Sequence, residues 1–178
     1  MRPEFAWSAA AFSLVLALLL ALSPQLGFAQ PQKAEATKAK VGSEQAFAQM
    51  AGSWSGGGTL SLSSGTRERL RCRAQHSVGQ GGRSLSLSIR CASDSYRFDL
   101  TSDVVNRRGR IYGRWSESSN GVSGTIAGRA SGGRIRAIAT SNTFTAGLSI
   151  TTHGGRQSVT ISPRETFISG VHIALRKR

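Results

Sequence analysis

The sequence predicts an all-β domain: an antiparallel up-and-down meander of about ten strands that closes into a soluble β-barrel with one hairpin disulfide. From Gly52 onward, apolar or small residues recur at every second position, which is the period of a strand with one buried face. Clusters of Gly, Ser and Asn separate these stretches, as turns do. No connection is long enough for a crossover helix, so neighbouring strands are expected to pair in antiparallel fashion.

Residues 1–29 are predicted to be a secretory signal peptide. Arg2 precedes an apolar run of about 14 residues, shorter than the ~20 residues of a membrane-spanning helix. Gly27 and Ala29 supply the small side chains that signal peptidase reads before its cleavage point. We therefore expect cleavage after Ala29 and a periplasmic or secreted mature chain with no membrane span. An uncleaved N-terminal anchor is the alternative.

Residues 30–51 are predicted to form a flexible tail in front of the barrel domain, which spans residues 52–178. The tail is rich in Ala, Lys and Gln and its first part has no apolar period. Within it, a short helix is expected at residues 43–50, with Phe47 and Met50 packed against the domain.

The two cysteines of the chain, Cys72 and Cys91, are predicted to form a disulfide across one hairpin. An exported protein folds in an oxidising compartment, and both residues share the apolar phase of their strands. Placing them opposite each other also sets Ala74 opposite Ile89, so the apolar faces match. Two buried reduced thiols are the alternative.

The polar and apolar phases of the strands distinguish this barrel from one that spans a membrane. A membrane barrel turns its apolar residues outward and keeps a polar lumen. Here the polar phase is Ser, Thr and Arg, whereas the apolar phase has enough bulk to fill an interior. Three aromatic residues of the inward phase are expected either to pack the lumen or to line a pocket in it: Trp54, Phe98 and Trp115.

The sequence holds no recognisable catalytic or cofactor-binding motif. It lacks a phosphate-binding loop and a dinucleotide fingerprint. His76, His153 and His172 do not have the spacing of metal ligands. His76 and Glu117 both have the inward phase and are the acid–base pair that could meet. We predict a protein that is not an enzyme and has no cofactor or metal.

Positive charge is the feature that indicates a partner. The chain holds 23 Lys and Arg against 9 Asp and Glu, a formal net charge of +14. From Gly52 onward, every basic residue except Lys177 and the histidines is an Arg, and a guanidinium can hold a phosphate, sulfate or carboxylate through two donors. The outward phase of three strands assembles four of them into a candidate anion site: Arg71, Arg73, Arg90 and Arg97.

Hairpin register predicts how close these arginines lie. The disulfide hairpin sets Arg73 opposite Arg90, and a second hairpin centred in residues 92–95 would set Arg90 beside Arg97. Three arginines about 4.8 Å apart repel one another unless an anion or an acidic surface covers them. A loop cluster at residues 107–110 could extend this site. A solvated basic surface without a ligand is the alternative.

Two short stretches carry resemblances to known families. The string from Cys91 to Phe98, CASDSYRF, together with GSWSGGG at Gly52–Gly58, resembles an uncharacterised family of small exported proteins of rhizobial and related alphaproteobacteria. That resemblance implies export and this architecture, and it implies no activity. The Gly-x-Trp element at Trp54 is similar to lipocalins and to periplasmic barrel inhibitors of proteases or lysozyme.

We therefore predict an exported, non-enzymatic β-barrel that binds an anionic partner, such as an acidic polysaccharide, a lipid phosphate or an acidic protein. Nucleic acid is not expected, because Tyr112 is the only aromatic residue in the outward phase of a strand and offers no stacking platform. A lipocalin-like calyx for a small apolar ligand is one alternative. An inhibitor of a secreted hydrolase is another, and it requires a protruding loop.

Overall fold

A computed structural model describes residues 45–178, which form a closed antiparallel barrel. Consecutive strands pair with each other, and β1 closes the barrel by pairing with β10. No helix in this part of the chain is long and apolar enough to cross a membrane. The strands are β1 (Gly52–Leu62), β2 (Arg67–Gly79), β3 (Ser84–Ala92), β4 (Arg97–Arg107), β5 (Arg110–Glu117), β6 (Val122–Ser131), β7 (Arg134–Ser141), β8 (Thr145–His153), β9 (Arg156–Arg164) and β10 (Ile168–Lys177).

The two faces of the barrel alternate as the period of the sequence predicts. Inward side chains form one core, in which Trp54, Leu60 and Leu70 are almost completely buried. Outward positions carry mainly Ser, Thr and Arg, and every Arg from Arg67 to Arg178 is exposed. The predicted fold class, with its ten strands and its disulfide, is confirmed. The predicted signal peptide lies outside the described residues.

Residues 45–50, which we call the plug, close one end of the barrel. They form turns rather than the short helix expected at residues 43–50. Residues 43 and 44 lie outside the described range. The Phe47 N–H donates a hydrogen bond to the Gly82 carbonyl at 3.3 Å. Phe47 and Met50 are completely buried. The expected packing of these two side chains is therefore present, and this part of the predicted tail belongs to the core.

The opposite end of the barrel is less enclosed. Inward-phase apolar side chains near this end are only partly buried: Leu62, Tyr96, Phe98, Leu100, Phe144 and Ile168. Glu117 lies at the same rim and is buried, because its carboxylate accepts hydrogen bonds from the backbone N–H groups of Asp99, Ser119 and Asn120. We call this the open end.

Two inward-phase glycines let neighbouring strands approach closely. A Cβ atom on Gly58 would lie 1.8 Å from the carbonyl oxygen of His172, and one on Gly113 would lie 1.9 Å from that of Asp103. No side chain fits there, so these positions require glycine.

The connections between strands contain two to four residues each. The barrel therefore lacks, within residues 52–177, the protruding loop that a hydrolase inhibitor would need.

Candidate functional site

The β2–β3 hairpin has the predicted register. Cys72 faces Cys91 and the two form a disulfide. On the outer face of the same hairpin, Arg73 faces Arg90. The apolar phase of the two cysteines thus located both the disulfide and the first pair of arginines correctly.

The predicted register of the next hairpin is wrong by two residues. Cys91 faces Phe98, not Tyr96, because residues 93–96 form the turn and the Ser93 N–H donates to the Tyr96 carbonyl at 2.9 Å. Arg90 consequently faces Asp99 instead of Arg97. The Arg90 Nε atom lies 2.8 Å from Asp99 Oδ2. The predicted row of three arginines is therefore two arginines followed by an aspartate that neutralises one of them.

The four arginines of the predicted anion site still share one region of the outer face. Arg71 and Arg97 lie on either side of Ala92, the residue that both of them face, and Arg73 and Arg90 form the next row. All four are exposed. We call this group the Arg71/73/90/97 patch. It is contiguous, but Asp99 lies in it and lowers its positive potential.

A stronger arrangement lies across β4, β5, β6 and β7. Four arginines on these successive strands face one another in register, and we call them the arginine ladder: Arg107, Arg110, Arg129 and Arg136. Neighbouring strands lie about 4.8 Å apart, so the ladder extends over roughly 14 Å. All four side chains are exposed. Like charges that are directly opposite each other destabilise a sheet, so four in a row are unexpected without a counter-charge.

Among the described residues, none of the outward positions beside the ladder is acidic. The nearest outward positions on the same four strands are two residues away along each strand, and none is Asp or Glu: Val105, Tyr112, Ala127, Ser131, Arg134 and Ile138. The ion pair between Arg90 and Asp99 belongs to the other patch. The ladder is therefore positive without local compensation in the part of the chain that the structure describes.

Two short turns that are recognisable in the sequence determine most of the register of this ladder. Arg108–Gly109 and Gly132–Gly133 are two-residue turns with positive φ at both positions, as in type I′ hairpins. Such a turn fixes the register of the strands beside it, which sets Arg107 opposite Arg110 and Arg129 opposite Arg136. The sequence analysis identifies the cluster at residues 107–110, but it does not predict the partners Arg129 on β6 and Arg136 on β7.

The three aromatic residues predicted for the lumen have different environments. Trp54 packs beneath the plug, and its indole N–H donates to the Met50 carbonyl at 2.9 Å. Trp115 is buried and its ring centroid lies 5.8 Å from that of Phe144. Phe98 is partly buried at the open end. Trp54 and Trp115 therefore serve the core, and Phe98 is the one that a ligand at the open end could contact.

His76 is a buried polar residue at the closed end. Its Nε2 lies 3.1 Å from Gln157 Oε1, and the Gln157 amide donates to the Thr152 hydroxyl at 3.0 Å. Burial lowers the pKa of His76, against smaller opposing contributions from the Gln157 side chain and the Gln75 backbone. Burial thus favours the neutral form of this imidazole.

His76 and Glu117 do not form an acid–base pair. The ring of His76 lies 6.0 Å from that of Trp54 at the closed end, whereas Glu117 is held at the open end by the N–H groups of its own turn. Burial alone would raise the pKa of Glu117, but hydrogen bonds from the Asp99 backbone and from Asn120 outweigh it and lower that pKa. Within residues 45–178, no group of three or more His, Cys, Asp or Glu could hold a metal ion.

Comparison with known proteins identifies the fold and no family. No protein-family model matches the chain, and no curated protein matches it. A solved structure, an S-type phycobiliprotein lyase from Guillardia theta, is similar, with a TM-score of 0.53 and 12% identity. The match covers 81% of this chain and 97% of that chain. At this identity the likeness shows a shared barrel fold alone.

The same comparison corrects one prediction. We expected a protein that is not an enzyme, because no catalytic motif is recognisable in the sequence. A lyase with this fold contradicts that inference, since a barrel of this kind is the scaffold of an enzyme in another protein. Residues 52–177 thus form a ten-stranded antiparallel barrel whose arginine ladder has no acidic neighbour in the described part of the chain, and this fold is one that a lyase also uses.

Proposed function

We propose that the protein is an exported β-barrel that binds an anionic partner through the arginine ladder. The observation that carries this proposal is the register that sets Arg107, Arg110, Arg129 and Arg136 opposite one another, with no acidic residue beside them among residues 45–178. Their mutual repulsion is a cost in the free protein, and a bound anion would relieve it.

The chemistry of the ladder suits a partner with several negative groups. Each guanidinium can donate two parallel hydrogen bonds to one phosphate, sulfate or carboxylate. The four side chains start from paired strands rather than from loops, so their spacing is fixed by the sheet. The Arg71/73/90/97 patch is a weaker site for the same partner, because Asp99 already pairs with Arg90.

Binding to immobilised heparin, used as a polyanion without an apolar part, tests this proposal. The ladder variant R107S/R110S/R129S/R136S should elute at much lower salt than the wild type, because local charge density is lost. The matched control is R71S/R73S/R90S/R97S, which removes the same number of charges from the other patch and should retain most of the binding. Equal losses in both variants would show that net charge alone is responsible and would refute a site at the ladder.

A pocket for a small apolar molecule at the open end is a second candidate function. The partly buried apolar side chains there, Phe98 and Leu100 among them, favour it. A neutral naphthylamine dye should gain fluorescence in a saturable manner on mixing with the protein, and Phe98→Ala should weaken this binding several-fold. Absence of any fluorescence gain would eliminate the pocket and leave the proposal for the ladder untouched.

A further inference from the structure

We infer that the anionic partner of the ladder is the surface of a lipid bilayer that contains anionic lipids, and that the barrel lies on it sideways. This inference rests on the proposed function and specifies its partner. It is carried by an apolar row beside the ladder, in which Tyr112, Ala127 and Ile138 are exposed and Val105 is partly buried. We call this row the apolar stripe, formed by Val105, Tyr112, Ala127 and Ile138.

The stripe and the ladder are adjacent rows of the same outer face. Each stripe residue lies two positions along its strand from a ladder residue, as Tyr112 does from Arg110 and Ile138 does from Arg136. The cross-strand pairs of the stripe are in register from β4 to β7, like those of the ladder. A positive row and an apolar row therefore run side by side across four strands.

Two large hydrophobic residues of the stripe are exposed to solvent. Large hydrophobic residues with high exposure are Tyr112 at 38%, Ile138 at 54% and Phe167 at 59%, among the described residues. Two of these three lie in the stripe. Single exposed apolar residues are ordinary on a protein surface, but a row of them bordered by charge is typical of an interaction site.

Contacts and shape link the two rows. The Arg107 guanidinium carbon lies 5.4 Å from the ring centroid of Tyr112, so the first arginine of the ladder contacts the second residue of the stripe. A shallow depression of about 420 Å³ lies at the other end, where Arg136, Ala127 and Ile138 line it together with residues of β8 and β9, Gly147 and Thr160 among them. An amphiphile placed there would have its charged group at the arginine and its hydrocarbon at Ile138.

A bilayer surface satisfies both rows at once. Anionic headgroups attract exposed arginines, and apolar side chains next to them can enter the boundary between headgroups and acyl chains. A soluble polysaccharide would leave the stripe in water. A second copy of the chain would bring two positive ladders together in a symmetric contact. Anionic lipid is therefore the partner whose chemistry fits the whole surface.

Vesicle co-sedimentation tests the inference with the exported protein, after mass spectrometry has shown that the apolar leader is absent. The probes are phosphatidylcholine vesicles with and without phosphatidylglycerol, and heparin in a parallel arm. We expect binding only to vesicles that contain phosphatidylglycerol. Y112S/I138S should weaken vesicle binding about tenfold and leave heparin binding unchanged. The ladder variant should weaken both, and Phe167→Ser, which removes an exposed ring from the connection between β9 and β10, should weaken neither.

The outcomes separate the two proposals. If Y112S/I138S binds phosphatidylglycerol vesicles as tightly as the wild type, the bilayer inference is overturned, although ladder-dependent heparin binding would still support the proposed function. If heparin binding does not depend on the ladder, the proposed function fails. All substituted side chains are exposed, and equal midpoints of thermal unfolding will confirm that each variant is folded.

Discussion

Arg90 and Asp99 form an ion pair across β3 and β4, with Arg90 Nε 2.8 Å from Asp99 Oδ2. The pair is solvated, since 77% of the Arg90 side chain and 29% of the Asp99 side chain are exposed. Asp99 occupies the position opposite Arg90 at which the sequence predicted Arg97. The outer face is therefore not uniformly positive: the Arg71/73/90/97 patch, on β2 to β4, contains a neutralising acid, whereas the ladder, on β4 to β7, has none beside it among the described residues.

A double-mutant cycle on this pair should give a small coupling energy. We expect Arg90→Ser and Asp99→Asn to couple by about 0.2 to 1 kcal/mol in the free energy of unfolding, because exposed ion pairs are screened by water and salt. Urea denaturation of the wild type, both single variants and the double variant measures it. A coupling above about 2 kcal/mol would mean that the pair is structural rather than a surface contact.

Removal of the disulfide should cost substantial stability. Cys72 and Cys91 are 19 residues apart, and closing a loop of this length stabilises a protein by about 3 kcal/mol in the chain-entropy description. C72S/C91S should therefore lower the free energy of unfolding by about that amount in urea denaturation. Wild-type protein with reductant is the matched control and should behave like the variant. Equal stability with and without the disulfide would contradict this account.

The plug should contribute as a core element rather than as a tail. Phe47→Ala is expected to lower the free energy of unfolding by about 3 to 5 kcal/mol, because the ring is completely buried. Gln49→Ala, on an exposed position of the same segment, should change it by less than about 0.5 kcal/mol. If thermal and urea denaturation find the two variants equally stable, residues 45–50 do not pack as described.

His76 should make stability depend on pH below neutrality. Its pKa in the folded protein is lowered from the usual 6.5 by burial, so the unfolded chain takes up the proton first as the pH falls. The stabilisation is complete above about pH 6.5 and is lost progressively below it. His76→Gln should flatten the curve of unfolding free energy between pH 7 and pH 5, whereas His153→Gln, on an exposed position, should not. An unchanged curve in the His76 variant would refute this assignment.

The alternation of apolar residues predicted the face of the sheet on which each side chain lies, but it did not predict the register of every hairpin. The alternation of apolar residues determines which face a residue occupies, so Cys72 and Cys91 and the outward arginines were assigned correctly. Alternation leaves the register open by steps of two residues, because such a shift keeps every side chain on its face. The turn at residues 93–96 shifted Arg97 by one such step and placed Asp99 there instead. The plug was predicted to pack, but its turns follow from contacts with Gly82, which is distant in sequence.

The closure of β1 onto β10 determines how this protein can recognise anything on its lateral surface. Each of the ten described strands is hydrogen-bonded on both sides, so none offers a free backbone edge to which a partner could add a strand. Recognition there depends on side chains, and their spacing depends on strand register. The turns at Arg108–Gly109 and Gly132–Gly133 set that register for the ladder. An insertion of one uncharged residue in either turn would separate the opposed arginines without changing the net charge, so ligand selectivity in such barrels can evolve through turn length.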